Sequence, residues 1–219
     1  LATEIQQAVK MNCSALLAAI NLYGDGRYTS VAPIKLAVIS EIIGVALDLD
    51  DLDRQLIMAA ALTANIGMRD IQDDLVGWAL PLKEEQLIVI KKHPEQSVKL
   101  LIAAGIRDKI WLRLVLEHHE QMDGGGYPKG LMRSKISEGS LLLGIAEIYV
   151  GMISERLYRT GMHAKDALRA LFMDRGRRID EHTVQVFVKS IGIYPPGSLV
   201  RLSSQEIALV VFRRDNAAT

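Results

Sequence analysis

The stretch "HHEQMDGGGYP", residues 118–128, sets two adjacent histidines and an acid directly before a glycine-rich turn closed by Tyr-Pro. Neutral imidazole nitrogens are common ligands for divalent transition metals. A glycine-rich turn beside them gives a bound group access to the backbone. The chain carries three further histidines, His93, His163 and His182. A lone histidine is more often a hydrogen-bonded or surface group than a ligand. His163 ("GMHAKD") and His182 ("DEHTV") read that way, near helix starts among polar residues. His118 and His119 stand out as a pair. On an ideal helix, neighbouring residues point about 100° apart. The pair is therefore expected to face two adjacent ions, or one ion and one substrate oxygen, rather than to chelate a single ion.

The elements that must position these residues read as helices. Residues 2–22 have the apolar spacing of an amphipathic lead-in helix, with Ile5, Val9, Leu16 and Ile20 among its apolar positions. Pro33 is expected in the first turn of a helix ending near Gly44, where proline is tolerated. "DLDDLD", 48–53, lacks the sixth-position glycine and twelfth-position glutamate of a calcium loop. It reads as a solvated turn whose aspartate caps a buried helix over about 52–64. Gly67 and the polar "RDIQDD" are expected to end that helix. A helix from about Lys83 meets Pro94, which is expected to kink it or start the next one. Another covers roughly 108–121, with the histidine pair on its last turn. Helices over about 138–155, 164–174 and 180–191 follow. "SLVRL" and "EIALVVF" then alternate as a short hairpin.

The fold class expected is all-α: a helical bundle with a short C-terminal β-hairpin. The divisions expected are a lead-in helix over 1–25, a helical domain over 26–192, and a hairpin and tail over 193–219.

Composition narrows the function. Lys+Arg and Asp+Glu both number 26, so no net field favours a nucleic acid polymer or an anionic membrane. The longest apolar run, 141–153, is too short to span a bilayer and contains Glu147. Cys13 is the single cysteine, which excludes an internal disulfide and suits a reducing cytoplasm.

"HHEQMDGGGYPKGL" resembles the signature of the HD-GYP family of bacterial signalling phosphodiesterases. The resemblance runs on through "KKHP" (91–94), "AEIYVGMISERLYR" (146–159), "GIYPPGSLVRL" and "EIALVV". It implies an HD-type helical bundle and, in active members, two or three metal ions that hydrolyse cyclic di-GMP. It places His93, His118 and His119 at metal-ligand positions. Arg156 and Arg159, with Lys129 nearby, fall where nucleotide phosphates are held. Gly126, Tyr127 and Pro128 form the loop implicated in docking onto diguanylate cyclase partners.

The resemblance breaks at the name-giving pair. "AALTANIGM" puts Ala64 at the histidine, Asn65 at the aspartate and Met68 at the lysine. Tyr28 falls where the first helix usually offers a histidine, and Glu147 replaces a metal-binding aspartate. Alanine offers no donor, and a neutral asparagine carbonyl bridges two cations poorly. A tyrosine with its pKa near ~10 seldom binds as phenolate. Phosphodiester cleavage by such sites uses two ions about 3.5–4 Å apart, which activate water and neutralise charge on the phosphate and leaving oxygen. Here at most one divalent ion, iron, manganese or zinc, is expected on His93, His118, His119 and Glu147.

Two functions follow. One is a catalytically inactive signalling module that binds cyclic di-GMP, a protein partner, or both. The other is a slow phosphodiesterase with a reduced site. The lead-in helix is open to three roles: a connector to an upstream domain, packing on the bundle, or forming a homodimer.

Overall fold

The computed structural model describes residues 1–23, 26–78, 82–155 and 161–213. Helix α1 (Ala2–Leu22) lies against α2 (Tyr28–Ala46) and α3 (Asp51–Thr63) and buries Ile5, Val9, Leu17 and Ile20. It is not the uninterrupted helix that its periodicity suggests. At Asn12 the backbone turns extended, and the Asn12 side chain accepts from the Ala15 amide at 2.9 Å. Asparagine thereby caps a second helical segment from within the run.

Helix α2 begins at Tyr28, earlier than its proline suggests, so Pro33 sits beyond the first turn, where it removes one ladder bond. Among the described residues α2 is the one helix long and apolar enough to cross a membrane by length and composition. In the fold, its Leu36, Ala37, Val38, Ile39 and Ile43 are all buried in the core. Asp50 caps α3 as expected, accepting from the Asp53 amide at 2.8 Å. Arg54 of α3 reaches back to the buried Glu41 of α2 at 3.0 Å and locks the two helices together.

Helix α3 ends at Thr63, close to the expected 64, but the polar stretch after Gly67 is itself helical. Residues Ile66–Met68 form a 3₁₀ turn that leads into α4 (Arg69–Gly77). The aspartates at 70, 73 and 74 mask its helical character in the sequence. Pro94 does not start a new helix. Helix α5 runs unbroken over Glu84–Ala103, with Pro94 inside it.

Helix α6 (Lys109–Glu117) is shorter than expected, and His118 is its C-cap. Helix α7 (Glu138–Ile153) runs through the centre and is capped by Ser137. It buries Leu142, Leu143, Ala146, Tyr149 and Val150, and Tyr149 packs edge-on against Phe187 at 5.2 Å. Helices α8 (Ala164–Met173) and α9 (Glu181–Ile191) close that side. Truncating a fully buried leucine such as Leu143 to alanine is expected to cost about 2–5 kcal/mol.

The hairpin pairs β1 (Leu199–Arg201) with β2 (Ile207–Leu209), in the register Leu199 with Leu209 and Arg201 with Ile207. Asn21 of α1 holds its approach by donating to the Pro196 carbonyl at 2.8 Å.

Candidate metal centre

His93 is positioned by its neighbour. Pro94 has no amide hydrogen to give the carbonyl of Ile90, four residues back. That carbonyl is taken instead by His93 Nδ1, at 2.6 Å. His118 does the same at the end of α6, where helix carbonyls lack amide partners. Its Nδ1 lies 2.7 Å from the Val115 carbonyl. A carbonyl only accepts, so in both rings Nδ1 carries the proton and Nε2 presents its lone pair. The two Nε2 atoms face each other at 3.2 Å.

The adjacency argument from an ideal helix is overturned here, because α6 stops at Glu117 and His118 and His119 leave it through a turn. One ligand atom from each of His93, His118 and His119 lies within 4.8 Å of the others. Glycine makes the close packing feasible. A Cβ on Gly67 would come within 2.6 Å of the His93 carbonyl, and one on Gly144 within 2.8 Å of the His118 carbonyl.

Burial keeps all three rings neutral. It holds the His93 pKa down to about 4, partly offset by the Ile90 carbonyl. It holds His118 down to about 3, with His93 beside it adding to the shift. His119 also lies well below the ordinary range, by burial and then by its two neighbours. Buried lone pairs that converge without a proton between them repel, and a divalent cation relieves that repulsion. The donor set fits one such ion, with His93, His118 and His119 to hold it and a positive charge for it to supply.

Asn65 and Glu147 are joined to one another. The Asn65 amide donates to Glu147 Oε1 at 2.9 Å, which leaves Asn65 Oδ1 buried and unpartnered among the described residues. Glu147 is also close enough to the Tyr127 phenol to raise its pKa, after burial. Ala64 is fully buried and offers only its backbone, whose carbonyl accepts from Ser97 Oγ at 2.7 Å. Ser97 in turn accepts from the Gly67 amide at 2.9 Å. Ser97 lies one helical turn beyond His93 on the same face of α5, a spacing that could have drawn attention to it.

The 126–128 loop folds back onto the histidines. The Tyr127 amide donates to the His119 carbonyl at 3.1 Å, and the Tyr127 ring stacks on His119 with centroids 4.7 Å apart. Gly126 and Pro128 flank it, partly buried. Glu120, to which sequence reasoning gave no role, clasps this loop. Its two carboxylate oxygens accept from the Lys129 and Leu131 amides, each at 2.7 Å. Lys129 is therefore fixed by its backbone and exposed at its side chain. Tyr28 and Met68 are partly buried, Tyr28 at the start of α2 and Met68 in the 3₁₀ turn. Arg156 and Arg159 lie outside the described residues.

A profile of the HD domain family matches residues 1–183. The chain belongs to the HD domain family. Two relatives of this HD domain are the cyclic di-GMP phosphodiesterase PA4108 of Pseudomonas aeruginosa and the cyclic di-GMP phosphodiesterase PdeB of Borreliella burgdorferi. The first is 28% identical over 96% of the chain and 51% of its own length. The second is 28% identical over 85% of the chain and 49% of its own length. The HD domain thus spans about half the length of these relatives. Bd1817, an HDGYP protein from Bdellovibrio bacteriovorus, shares the fold with a TM-score of 0.72 at 21% identity, over 85% of this chain and 60% of its own. The all-α bundle with a C-terminal hairpin and the HD-GYP resemblance of residues 118–128 both stand with these findings.

Proposed function

We propose that this HD domain is a bacterial, cytoplasmic cyclic di-GMP signalling module. In this reading it holds one divalent ion, iron, manganese or zinc, on His93, His118 and His119 and does not turn the nucleotide over efficiently. It acts by binding cyclic di-GMP, by meeting a protein partner through the 126–128 loop, or both. The observation that carries this reading is the Asn65–Glu147 hydrogen bond. A group that must bridge two cations has to offer them anionic oxygen. At position 65 a neutral amide instead turns a donor toward the nearby carboxylate. Ala64 beside it contributes no side-chain donor at all. Lys129, Arg156 and Arg159 are the cations proposed to meet the nucleotide phosphates, and a diguanylate cyclase is the partner the resemblance suggests. Tyr127 offers an amphipathic ring to such a partner, although one face of it stacks on His119.

The test is to add cyclic di-GMP to the purified chain with manganese or iron(II). Binding and hydrolysis are then followed in the same sample. This reading expects saturable binding, or none, with no hydrolysis above the metal-only blank. The second reading, a slow single-ion phosphodiesterase, is favoured by the three imidazoles, each of which offers one ligand atom within 4.8 Å of the others. It expects slow hydrolysis that disappears in His118→Ala.

A further inference from the structure

A cleft of about 950 Å³ opens between the end of α1, the segment leading into α8 and the β-hairpin. None of the cluster histidines lines it. Its volume falls at the upper end of the ~300–1,000 Å³ typical of small-molecule sites. Its walls are largely apolar, with Ile153, Met162, Ile193, Val200 and Leu202 among them. Three cationic side chains, Lys35, Lys165 and Arg201, line the same space, against two acids, Glu155 and Asp166.

Lys35 is the informative member. It is half-buried on α2, and among the described residues it makes no hydrogen bond or close ion pair. Burial lowers its pKa, and Glu155 offsets this only through space. An ammonium drawn out of water without a close counter-charge is costly, and an incoming anion removes that cost. At the rim, the Tyr194 ring is 51% exposed, with the Lys165 ammonium 5.8 Å from its centroid. It offers a stacking surface beside a positive charge.

We propose that this cleft binds a small aromatic phosphate, of the size and chemistry of a nucleoside monophosphate. The phosphate is drawn to Lys35, Lys165 and Arg201, and the base lies against Tyr194. The proposal is independent of the histidine centre.

Calorimetric titration of the full chain, with EDTA present throughout to keep metal off the histidines, tests it. The probes are guanosine monophosphate, guanosine and inorganic phosphate. The monophosphate is expected to bind saturably, and guanosine to bind at least about tenfold more weakly. Lys35→Met is expected to weaken the monophosphate about tenfold. Tyr194→Ala is expected to weaken the monophosphate and leave inorganic phosphate unchanged. If Lys35→Met loses its fold by circular dichroism, Arg201→Ala, on the exposed hairpin, carries the same expectation. The proposal is overturned if the monophosphate does not bind saturably. It is equally overturned if guanosine binds as tightly, or if the cation variants bind like the unmodified chain.

Discussion

The Nε2 atoms of His93 and His118 face each other at 3.2 Å while both Nδ1 atoms are held by backbone carbonyls. Neither ring has a proton to give the other, so the pair is a preformed acceptor for a cation. Adding zinc or manganese to chelator-treated protein is therefore expected to raise its thermal midpoint. Ligand at a hundredfold excess over Kd adds about 2.7 kcal/mol of stability. His118→Ala should abolish the increment. Differential scanning fluorimetry reads both, and a metal increment undiminished in His118→Ala would place the ion elsewhere.

Pro94 separates stability from metal affinity. In Pro94→Ala the new amide can reclaim the Ile90 carbonyl, and alanine is favoured over proline in a helix interior by about 3 kcal/mol. The variant should be more stable in urea when metal-free. Its His93 ring loses the carbonyl that fixes its tautomer, so metal affinity should fall about 10–100-fold. A variant that is both more stable and an equal metal binder would show that the Ile90 contact plays no part.

Acid should weaken the metal-free fold. His93 and His118 are held at about 4 and about 3, below their ordinary value of 6.5. Their folded pKa values are depressed, so the stability they contribute is fully present above pH 6.5. It is lost as pH falls from there toward 4, because the unfolded chain takes up protons that the folded chain refuses. Each histidine contributes a slope of about 1.4 kcal/mol per pH unit in that window. Urea unfolding at a series of pH values should show a steep slope, reduced by about that amount in His93→Gln. An unchanged slope in the variant would contradict the neutral, buried assignment.

Asn65→Asp places a carboxylate where Asn65 Nδ2 now donates to Glu147. Two like charges at hydrogen-bond distance repel. The metal-free variant should lose about 1–3 kcal/mol, and manganese should restore more stability to it than to the unmodified chain. Urea midpoints with and without manganese measure both effects. A variant as stable as the parent without metal would mean that the Asn65–Glu147 bond does not hold in solution.

Helix positions were largely legible because the bundle's apolar faces repeat at helical spacing, as in α3 and α7. What the sequence concealed were the effects of single side chains on the backbone. Asn12 interrupts α1 with its own cap, and Pro94 leaves α5 intact because His93 occupies the carbonyl it vacates. The three histidines were legible as candidate ligands through motif and resemblance, and the fold brings them together. Their convergence was not, since it depends on α6 ending at Glu117, about four residues short of the end its pattern suggests. Glu120 was visible beside the histidines but its role was not, because it holds two loop amides, a contact with no residue-type signature on the receiving side.

The central claim is that positions 64 and 65 no longer tie a second cation into the centre. The most direct measurement is the number of metal ions per chain. Protein is saturated with manganese or iron(II), dialysed free of excess and analysed for metal content. One ion per chain, lost in His118→Ala, is the predicted result. Two ions per chain, with cyclic di-GMP hydrolysed in the same sample, would contradict the account.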